Sequence, residues 1–377
     1  MIYYDNAATT KVYDECVEIL TEYNQNRYFN PSALYKEASD IKLLIDGARE
    51  SIKKRLRAGE GNLYFTSSGS EADNTALFGV RKQKGQTVIV GEGEHDAVYN
   101  SALQLKNDGY TVEFAPIKSN GQIDVEKLGD MLNPDVCLVS VMHVSNETGA
   151  INDLESISAL IKEKAPRAIF HSDGVQAYGK IDINLRASGV DMYTISGHKI
   201  HAPKGVGALW IKKGVTVRPL IFGGGQEGGF RSSTENVAGI MAFQTASDRI
   251  FGNFEENNST KSQIKEYLKS YICQNVADTV VLSPDDGASH ILTLAFKNLR
   301  GEVLLHALEK KCVLVGIGSA CSSHRESRFK KLLNLDGEHR DGIVRLSFSE
   351  FNTLGEAKEA AKIITDTANE WNRFVRK

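Results

Sequence analysis

Apolar residues along this chain fall into short runs that alternate with stretches of helical periodicity. The longest run, Val136 to Val144, is apolar almost throughout, which is typical of a strand buried on both faces of a sheet. Residues 154–164 repeat their apolar positions with the helical period, and a second helix is predicted from Ser70 to about Lys82. Further strands are predicted at Leu63–Thr66, Thr87–Val90, Val112–Ile117, Ala168–Phe170, Met192–Ile195 and Gly207–Ile211. This alternation favours an α/β domain around a mostly parallel sheet, in which ligands bind beyond the strand ends.

The last part of the chain follows a different pattern. Residues from Glu235 to about Asn275 are mostly helical in character, with a polar interruption at Glu255–Asn258. Beyond them, strands are predicted at Val280–Leu282, Ile291–Phe296, Val313–Val315 and Val344–Phe348, and helices at Gly301–Lys311 and from Leu354 to about the C-terminus. We therefore predict a second, smaller domain after the helical passage.

Composition narrows the class of protein. The 377 residues are 41% hydrophobic and 25% charged with a net charge of −3, which gives no reason to expect a nucleic-acid or membrane partner. No apolar run approaches the ~20 residues that span a bilayer, and the N-terminus shows no secretory signal, so a cytoplasmic location is predicted. The five scattered cysteines contain no C-x-x-C pair, which argues against a disulfide framework and a structural zinc site. Four of them, all except Cys321, are expected to pack as small apolar side chains.

Lys199 carries the strongest indication of chemistry. It follows the apolar stretch Val190–Ile195, which predicts a short buried strand, and a Ser-Gly-His turn presents it. A lysine at the mouth of a buried strand loses hydration and can act as an amine nucleophile. A surface lysine at a strand end is the simpler interpretation, and position 199 alone does not decide between the two.

A Ser/Gly loop between a predicted strand and a predicted helix, Phe65 to Asn74, suggests an anion site. The first N–H groups of a helix have no internal partner and the helix dipole is positive there, so Gly69 and Ser70 would suit a phosphate. An ordinary helix cap by Ser68 or Ser70 is equally compatible with these residues. No lysine follows the glycine as in a Walker motif, and the G-x-G-x-x-G spacing is absent from this segment.

Two further positions follow predicted strands. Asp173, after Ala168–Phe170, could keep a pyridinium nitrogen protonated and so make the ring an electron sink, while Gln176 could reach a ring hydroxyl. His95, after Thr87–Val90, could stack on an aromatic ring. Asp173 could instead cap the next helix, and a lone histidine is more often structural.

Together these motifs form a family resemblance. The chain carries, in order, the Ser/Gly loop, His95, Asn146-Glu147-Thr148-Gly149, Asp173-x-x-Gln176, Ser196-Gly197-His198-Lys199 and Ser319-Ala320-Cys321-Ser322-Ser323. This order resembles the class V group of pyridoxal-phosphate enzymes and, more narrowly, the cysteine desulfurases of NifS and IscS type. The similarity runs from Tyr4 to Ser347 and so covers almost the whole chain. It implies the α/β fold of type I pyridoxal-phosphate transferases. A large domain, residues 15–255, would contain a mostly parallel seven-stranded sheet, and residues 1–14 and 256–377 would form a smaller α+β domain.

The resemblance assigns a role to each motif position. Lys199 would be the Schiff-base lysine and, with Cys321 and His95, a catalytic residue. The residues implied to hold pyridoxal 5'-phosphate are Gly69, Ser70, His95, Asn146, Asp173, Gln176, Ser196, His198, Lys199 and Thr234. Asn146 and Arg345 would contact the substrate carboxylate, which an arginine fork suits. Thr234 would reach the phosphate of the neighbouring subunit, which implies a homodimer with shared active sites. No metal is implied.

Cys321 is the residue that distinguishes among class V reactions. The small residues around it suggest a mobile loop, from which a thiolate could take the sulfur of L-cysteine as a persulfide and leave L-alanine. The resemblance implies a long-loop cysteine desulfurase that passes sulfur to an acceptor protein, either an iron–sulfur scaffold or a thiolation enzyme. Another class V enzyme, an aminotransferase or a selenocysteine lyase-like enzyme with Cys321 as a bystander, remains an alternative. A non-catalytic relative is a third hypothesis, against which the intact motifs argue.

Four positions depart from the family pattern. Tyr35 and Gln226 replace usual histidines, Ser233 replaces a glycine, and Glu350 replaces a basic residue. None is among the positions implied to hold the cofactor, so the departures bear on substrate range and on the choice of acceptor.

Overall fold

A computed structural model of the protein describes residues 1–83, 85–317 and 328–375. The strands in these ranges are β1 Ile2–Tyr4, β2 Gly61–Thr66, β3 Thr87–Gly91, β4 Thr111–Ala115, β5 Val136–Ser140, β6 Ile169–Asp173, β7 Met192–Ser196, β8 Gly207–Lys212, β9 Val280–Val281, β10 Ile291–Ala295, β11 Val313–Val315 and β12 Ile343–Ser347. The helices are α1 Asp14–Gln25, α2 Lys36–Arg55, α3 Gly69–Gly79, α4 Asp96–Asn107, α5 Val125–Met131, α6 Leu154–Lys164, α7 Leu185–Ser188, α8 Val237–Gly252, α9 Phe254–Asn275, α10 Gly301–Glu309, α11 Arg328–Leu332 and α12 Leu354–Val375.

A seven-stranded sheet in the order β2-β8-β7-β6-β5-β3-β4 organises the larger part of the molecule. β8 is antiparallel to both of its neighbours, and the remaining pairs are parallel. The prediction of an α/β fold with a mostly parallel sheet is therefore confirmed. Because parallel strands end at the same edge, residues that follow β6 and β7 lie close together.

The sheet is buried on both faces. Val88 and Val90 of β3 pack in the same apolar cluster as Met192, whereas Ile89, between them, packs in the cluster that contains Phe170. Alternate side chains of a strand point to opposite faces, so the near-continuous apolar runs in the sequence reflect helices that cover both sides.

A separate apolar cluster lies elsewhere in the molecule. It joins Ile2 and Tyr4 of β1 to residues of α9, α10, α12 and the strands β10 and β12. β1 pairs in parallel with β11, and β12, β10 and β9 form an antiparallel three-stranded sheet. The proposed division of the chain at residues 14/15 and 255/256 stays a prediction.

Several predicted boundaries are wrong. β6 extends through polar but fully buried His171 and Ser172, so Asp173 ends the strand rather than following it. The polar segment Glu255–Asn258 lies inside α9, and the helix break is at Asn253. α3 ends at Gly79 because Val80 is extended and forms a bridge to another segment.

The described cysteines differ in burial. Cys16 and Cys137 are buried, Cys273 is half-buried and Cys312 is exposed. The expected burial as a small apolar side chain is therefore wrong for Cys312, which follows α10 in a surface turn with a φ of 60°. Cys321 lies outside the described residues. Among the helices that the structure describes, none has the length and apolar character needed to cross a membrane.

Candidate active site

A cavity of about 380 Å³ opens where β6 and β7 end and α3 begins. The predicted site residues that line it are Gly69, Ser70, His95, Asn146, Asp173, Gln176, Ser196, His198, Lys199 and Arg345. Thr234 is exposed and is not part of this lining. The predicted nucleophile, Cys321, lies outside the described residues. The structure thus brings together ten of the predicted residues from distant parts of the sequence, while their roles remain a proposal.

One end of the cavity is formed by the N-terminus of α3. The Ser68 hydroxyl accepts a hydrogen bond from the Glu71 N–H at 3.1 Å, so the predicted helix cap is present. The cap does not exclude an anion site, because the N–H groups of Gly69 and Ser70 precede the first intrahelical donor. The Ser196 hydroxyl is buried without a hydrogen-bond partner among the described residues. A Cβ at Gly69 would come within 2.9 Å of Val175, so glycine permits this close approach.

A second wall of the cavity is lined by carboxyl groups. Asp173 accepts a hydrogen bond from the Val175 N–H at 2.8 Å, and burial raises the pKa of this carboxyl against the opposing effect of His95 and Lys199. Atoms of Asp73, His95 and Asp173 lie within 4.8 Å of one another. Burial also raises the pKa of Asp73 and of Glu94, and one oxygen of each accepts no hydrogen bond among the described groups. Buried carboxyls of this kind favour a cationic ligand.

Lys199 lies on the opposite side, in the 3-10 turn Gly197–Lys199. Its Nζ donates to the backbone carbonyls of Ala7 and Ala8, at 2.6 and 2.8 Å. The Gln176 amide nitrogen also donates to the Ala7 carbonyl, at 2.9 Å. The N-terminal segment therefore positions the amine, and it reaches the site because β1 anchors it on β11.

His198 lies beside this amine in a neutral state. Burial, followed by the charge of Lys199, lowers the pKa of His198 to about 3. Its Nδ1 lies 3.2 Å from the Thr9 hydroxyl. A neutral imidazole could donate one hydrogen bond toward a ligand and accept another.

Arg345, from β12, completes the cavity. It donates from Nη1 to the Asn146 carbonyl at 2.8 Å and from Nη2 to Asp5 at 3.1 Å. Glu147 is 3.8 Å from Nη1, and the buried Nε has no partner among the described groups. The guanidinium is thus held in place, and its Nε–H, which makes no hydrogen bond within the described ranges, suits a carboxylate ligand.

Sequence reasoning missed several groups at the site. Asp73 lies in the segment that carries Gly69 and Ser70, and Glu94 immediately precedes His95, so their positions offered a signal. Lys180, four residues after Gln176, is also buried and donates to it. The Ala7 carbonyl offered no signal, because every residue has a backbone carbonyl.

The four departures from the family pattern lie away from this cavity. Glu350 pairs with Arg249 at 3.1 Å and accepts a hydrogen bond from Asn257 at 3.0 Å. Gln226 accepts one from the Ser233 N–H at 3.2 Å. Tyr35 is exposed and packs edge-on against Phe29. None of the four lines the cavity described above.

Comparison with known proteins identifies the family. The model of the family described as "Aminotransferase class-V" matches residues 2–359. A cysteine desulfurase of Nostoc sp. is 35% identical over 97% of this chain and 92% of its own length. The cysteine desulfurase NifS of Azotobacter vinelandii is 35% identical over 94% and 89% of the two chains. A solved NifS-like protein superposes with a TM-score of 0.89 at 31% identity, covering 97% of this chain and 98% of its own. The predicted resemblance is therefore confirmed: the chain belongs to the class V aminotransferase family, whose members depend on pyridoxal phosphate in general, and within it to the group of NifS- and IscS-type cysteine desulfurases.

Proposed function

We propose that this protein is a pyridoxal-phosphate-dependent cysteine desulfurase that converts L-cysteine to L-alanine and retains the sulfur as a persulfide. The observation that carries the proposal is the convergence of Lys199, Asp173 and the N-terminus of α3 on one cavity of about 380 Å³. That volume is in the range of small-molecule sites. It joins an anion site to a buried carboxyl and an amine, the three groups that a phosphorylated pyridine aldehyde requires.

The residues present fit this cofactor. Gly69, Ser70 and the unpartnered Ser196 hydroxyl would hold the phosphate. Asp173 would hold the ring nitrogen, Gln176 the ring hydroxyl, and His95 would lie against the ring. When bound, the cofactor supplies an electron-withdrawing ring that stabilises negative charge at the substrate α-carbon.

The chain's own side chains would then move the protons. Asp173 would keep the ring nitrogen protonated, because an ionised buried carboxylate is stabilised by a cation. The Lys199 Nζ, already oriented by the carbonyls of Ala7 and Ala8, would hold the cofactor covalently and later accept the proton from the substrate α-carbon. Arg345 and Asn146 would orient the substrate carboxylate.

Sulfur transfer is assigned to Cys321 from the sequence alone. Its thiolate would attack the substrate sulfur, so that an S–S bond forms as the substrate C–S bond breaks. The electron pair of the broken bond would remain with the β-carbon, which takes up a proton and becomes the methyl group of alanine. His95 would assist this proton transfer. The outer sulfur of the resulting persulfide would pass to a thiolate of an acceptor protein, an iron–sulfur scaffold or a thiolation enzyme, as the S–S bond to Cys321 breaks and the Cys321 thiolate is restored.

A homodimer is part of the proposal. Leu220, Ile221 and Phe222 are 38%, 38% and 80% exposed, and they precede the segment that ends at the exposed Thr234. An apolar group of this kind favours burial against a second copy, which would bring Thr234 to the other cavity. Sedimentation of the purified protein would test the dimer, and a Thr234→Ala variant with unchanged cofactor affinity would count against a shared site.

The compartment follows from the same chemistry. A nucleophilic thiol must stay reduced, which cytoplasmic conditions favour. We therefore propose a cytoplasmic location, and cell fractionation would check it.

The decisive assay supplies L-cysteine and a reductant and measures alanine and sulfide together. We expect both products in equal amounts from the wild type and from Cys312→Ser, a control that changes an exposed cysteine. Cys321→Ala should form neither product while keeping the visible absorption band of the bound cofactor. Lys199→Ala should lack the visible band of the wild type, because the amine that would hold the cofactor covalently is absent. Transfer of an amino group to a keto acid, without sulfide, would overturn the proposal in favour of an aminotransferase.

A further inference from the structure

A chain of buried polar groups lies behind the cavity wall and ends on Gln176. The Lys180 Nζ donates to the Gln176 Oε1 at 2.8 Å, and the His290 Nε2 lies 3.3 Å from the same oxygen. On its other side the Gln176 Nε2 donates to the Ala7 carbonyl at 2.9 Å. The exposed fractions of Lys180, Gln176 and His290 are 6%, 4% and 1%, so water does not replace these contacts readily.

The neighbours of Gln176 determine which way its amide faces. The Lys180 Nζ donates an N–H to the amide oxygen, which is the only acceptor that the amide offers. The Ala7 carbonyl can only accept, so the group nearest to it must be the amide nitrogen. Both neighbours therefore require the same orientation, and the second N–H of the nitrogen remains for a ligand in the cavity that Gln176 lines.

We propose that Lys180, assisted by His290, is a positioning residue that orients the Gln176 amide so that its nitrogen donates to the cofactor ring oxygen. This inference rests on the proposed function, since it concerns the same cofactor. The inference adds Lys180, which belongs to none of the motifs that line the cavity. Without Lys180, only the Ala7 carbonyl and His290 would oppose rotation of the amide by half a turn. The rotated amide would present its oxygen to an oxygen of the ring, which would replace an attraction by a repulsion.

The surroundings of Lys180 disfavour the charged form of its amine. Burial, followed by the charges of Lys199, Lys261 and Arg345, holds the pKa of Lys180 well below its usual range. Burial also holds the pKa of His290 well below its usual range, so its ring is neutral. Two buried groups therefore meet one amide oxygen and orient the amide from behind the cavity wall.

The test compares Lys180→Met with Lys265→Met, which removes another buried lysine. Lys265 is 8% exposed and donates to the Ala288 carbonyl at 3.1 Å, and among the described residues the hydrogen bonds of Gln176 do not involve it. The readouts are the dissociation constant of pyridoxal phosphate and the pH midpoint of the visible band of the bound cofactor. We expect Lys180→Met to weaken binding about tenfold, the effect of one hydrogen bond. We also expect the pH midpoint of the visible band to rise, because the more negative form of the bound cofactor would lose a hydrogen-bond donor. Lys265→Met should leave both values as in the wild type.

A double-variant cycle separates positioning from a direct charge effect. In a Gln176→Ala background, Lys180→Met should no longer move the midpoint if Lys180 acts through the amide. A shift of the same size in both backgrounds would overturn the proposal, as would equal behaviour of Lys180→Met and Lys265→Met. Lys180→Gln, whose shorter side chain stays polar, serves as the second variant if methionine prevents folding. A wild-type protein that binds no pyridoxal phosphate would instead refute the proposed function, so the two failures are distinguishable.

Discussion

The acidic and the basic side chains that line the cavity, called here its acidic end and its basic end, are satisfied in different ways. At the acidic end, Asp73 and Glu94 each leave one carboxyl oxygen without a hydrogen bond among the described residues. At the basic end, Lys199 donates to two backbone carbonyls, and Arg345 donates to a backbone carbonyl and to Asp5. The basic groups are thus oriented by hydrogen bonds within the described structure, whereas the acidic groups keep carboxyl oxygens that a cationic ligand could meet.

This difference indicates how the cofactor would contribute to stability. A buried carboxyl without a partner destabilises the ionised form of the folded protein. A pyridinium nitrogen at Asp173 would relieve that cost, while a ligand carboxylate at Arg345 would add to an arrangement that already exists. We therefore expect changes at the acidic end to act through the cofactor and changes at the basic end to act through the substrate.

The largest expected effect is that of Asp173→Asn, which breaks the acidic end. Removing one partner of a buried ion pair costs about 3–5 kcal/mol, so kcat/KM for alanine formation should fall by about 10²- to 10⁴-fold. Steady-state kinetics at saturating cofactor would check this. Asp182→Asn, which changes a side chain that is 78% exposed, should behave as the wild type. Near-normal activity of Asp173→Asn would show that the carboxylate does not act on the ring nitrogen.

Arg345→Lys tests the basic end while keeping the charge. Lysine cannot form the fork that arginine presents to a carboxylate, and a hydrogen bond to a charged group contributes about 1.5–3 kcal/mol. KM for L-cysteine should therefore rise about tenfold to a hundredfold, with the affinity for pyridoxal phosphate unchanged. The exposed Arg340→Lys is the matched control. A loss of cofactor affinity instead would mean that Arg345 belongs to the cofactor end.

How much of this arrangement the sequence predicts depends on how local each signal is. The sheet strands were predictable because burial on both faces produces continuous apolar runs, and Lys199, Asp173 and Gln176 were predictable because they follow such runs. The pairing of β1 with β11 was not, because three-residue strands are too short to show a period. Helix α2, in contrast, is long enough to show a helical period, since Ile41, Ile45, Ala48 and Ile52 are all buried.

The site groups that escaped prediction depend on long-range contacts. The Ala7 carbonyl meets the Lys199 amine across 192 positions of sequence, and a backbone carbonyl has no residue signature. Lys180 resembles any other lysine in the sequence until the fold buries it against Gln176. Motifs therefore indicate which side chains meet a ligand, whereas the groups that orient those side chains emerge only from the packing.

The substitution Glu94→Gln tests the acidic end through the pH dependence of the free energy of unfolding. Burial raises the pKa of Glu94 in the folded state, with Asp173 adding to the shift. The folded protein therefore binds more protons than the unfolded chain above about pH 4.3, and the free energy of unfolding contributed by this group falls as the pH rises through its raised pKa. The neutral amide cannot ionise. The cofactor-free Glu94→Gln protein should be more stable than the wild type by about 1–3 kcal/mol at pH 8 and should lose this advantage near pH 4.

Denaturant unfolding of the cofactor-free proteins at both pH values would measure this difference. Glu113→Gln, on the exposed side of β4, provides the control and should leave the pH dependence as in the wild type. A Glu94→Gln protein with the same pH dependence as the wild type would contradict the assignment of the buried charge to Glu94.

The smallest expected effect, that of Ser196→Ala, has opposite signs with and without the ligand. The Ser196 hydroxyl is buried without a partner in the described structure, so its removal should leave the cofactor-free protein equally stable or slightly more stable. The same change removes a donor for the phosphate and should weaken binding of pyridoxal phosphate by about three- to tenfold, the effect of one hydrogen bond. Ser172→Ala is a close control, because its hydroxyl is likewise buried and unpartnered among the described groups but does not line the cavity. If both variants change cofactor affinity equally, the phosphate does not lie at the N-terminus of α3, and the anion end of the cavity must be sought elsewhere.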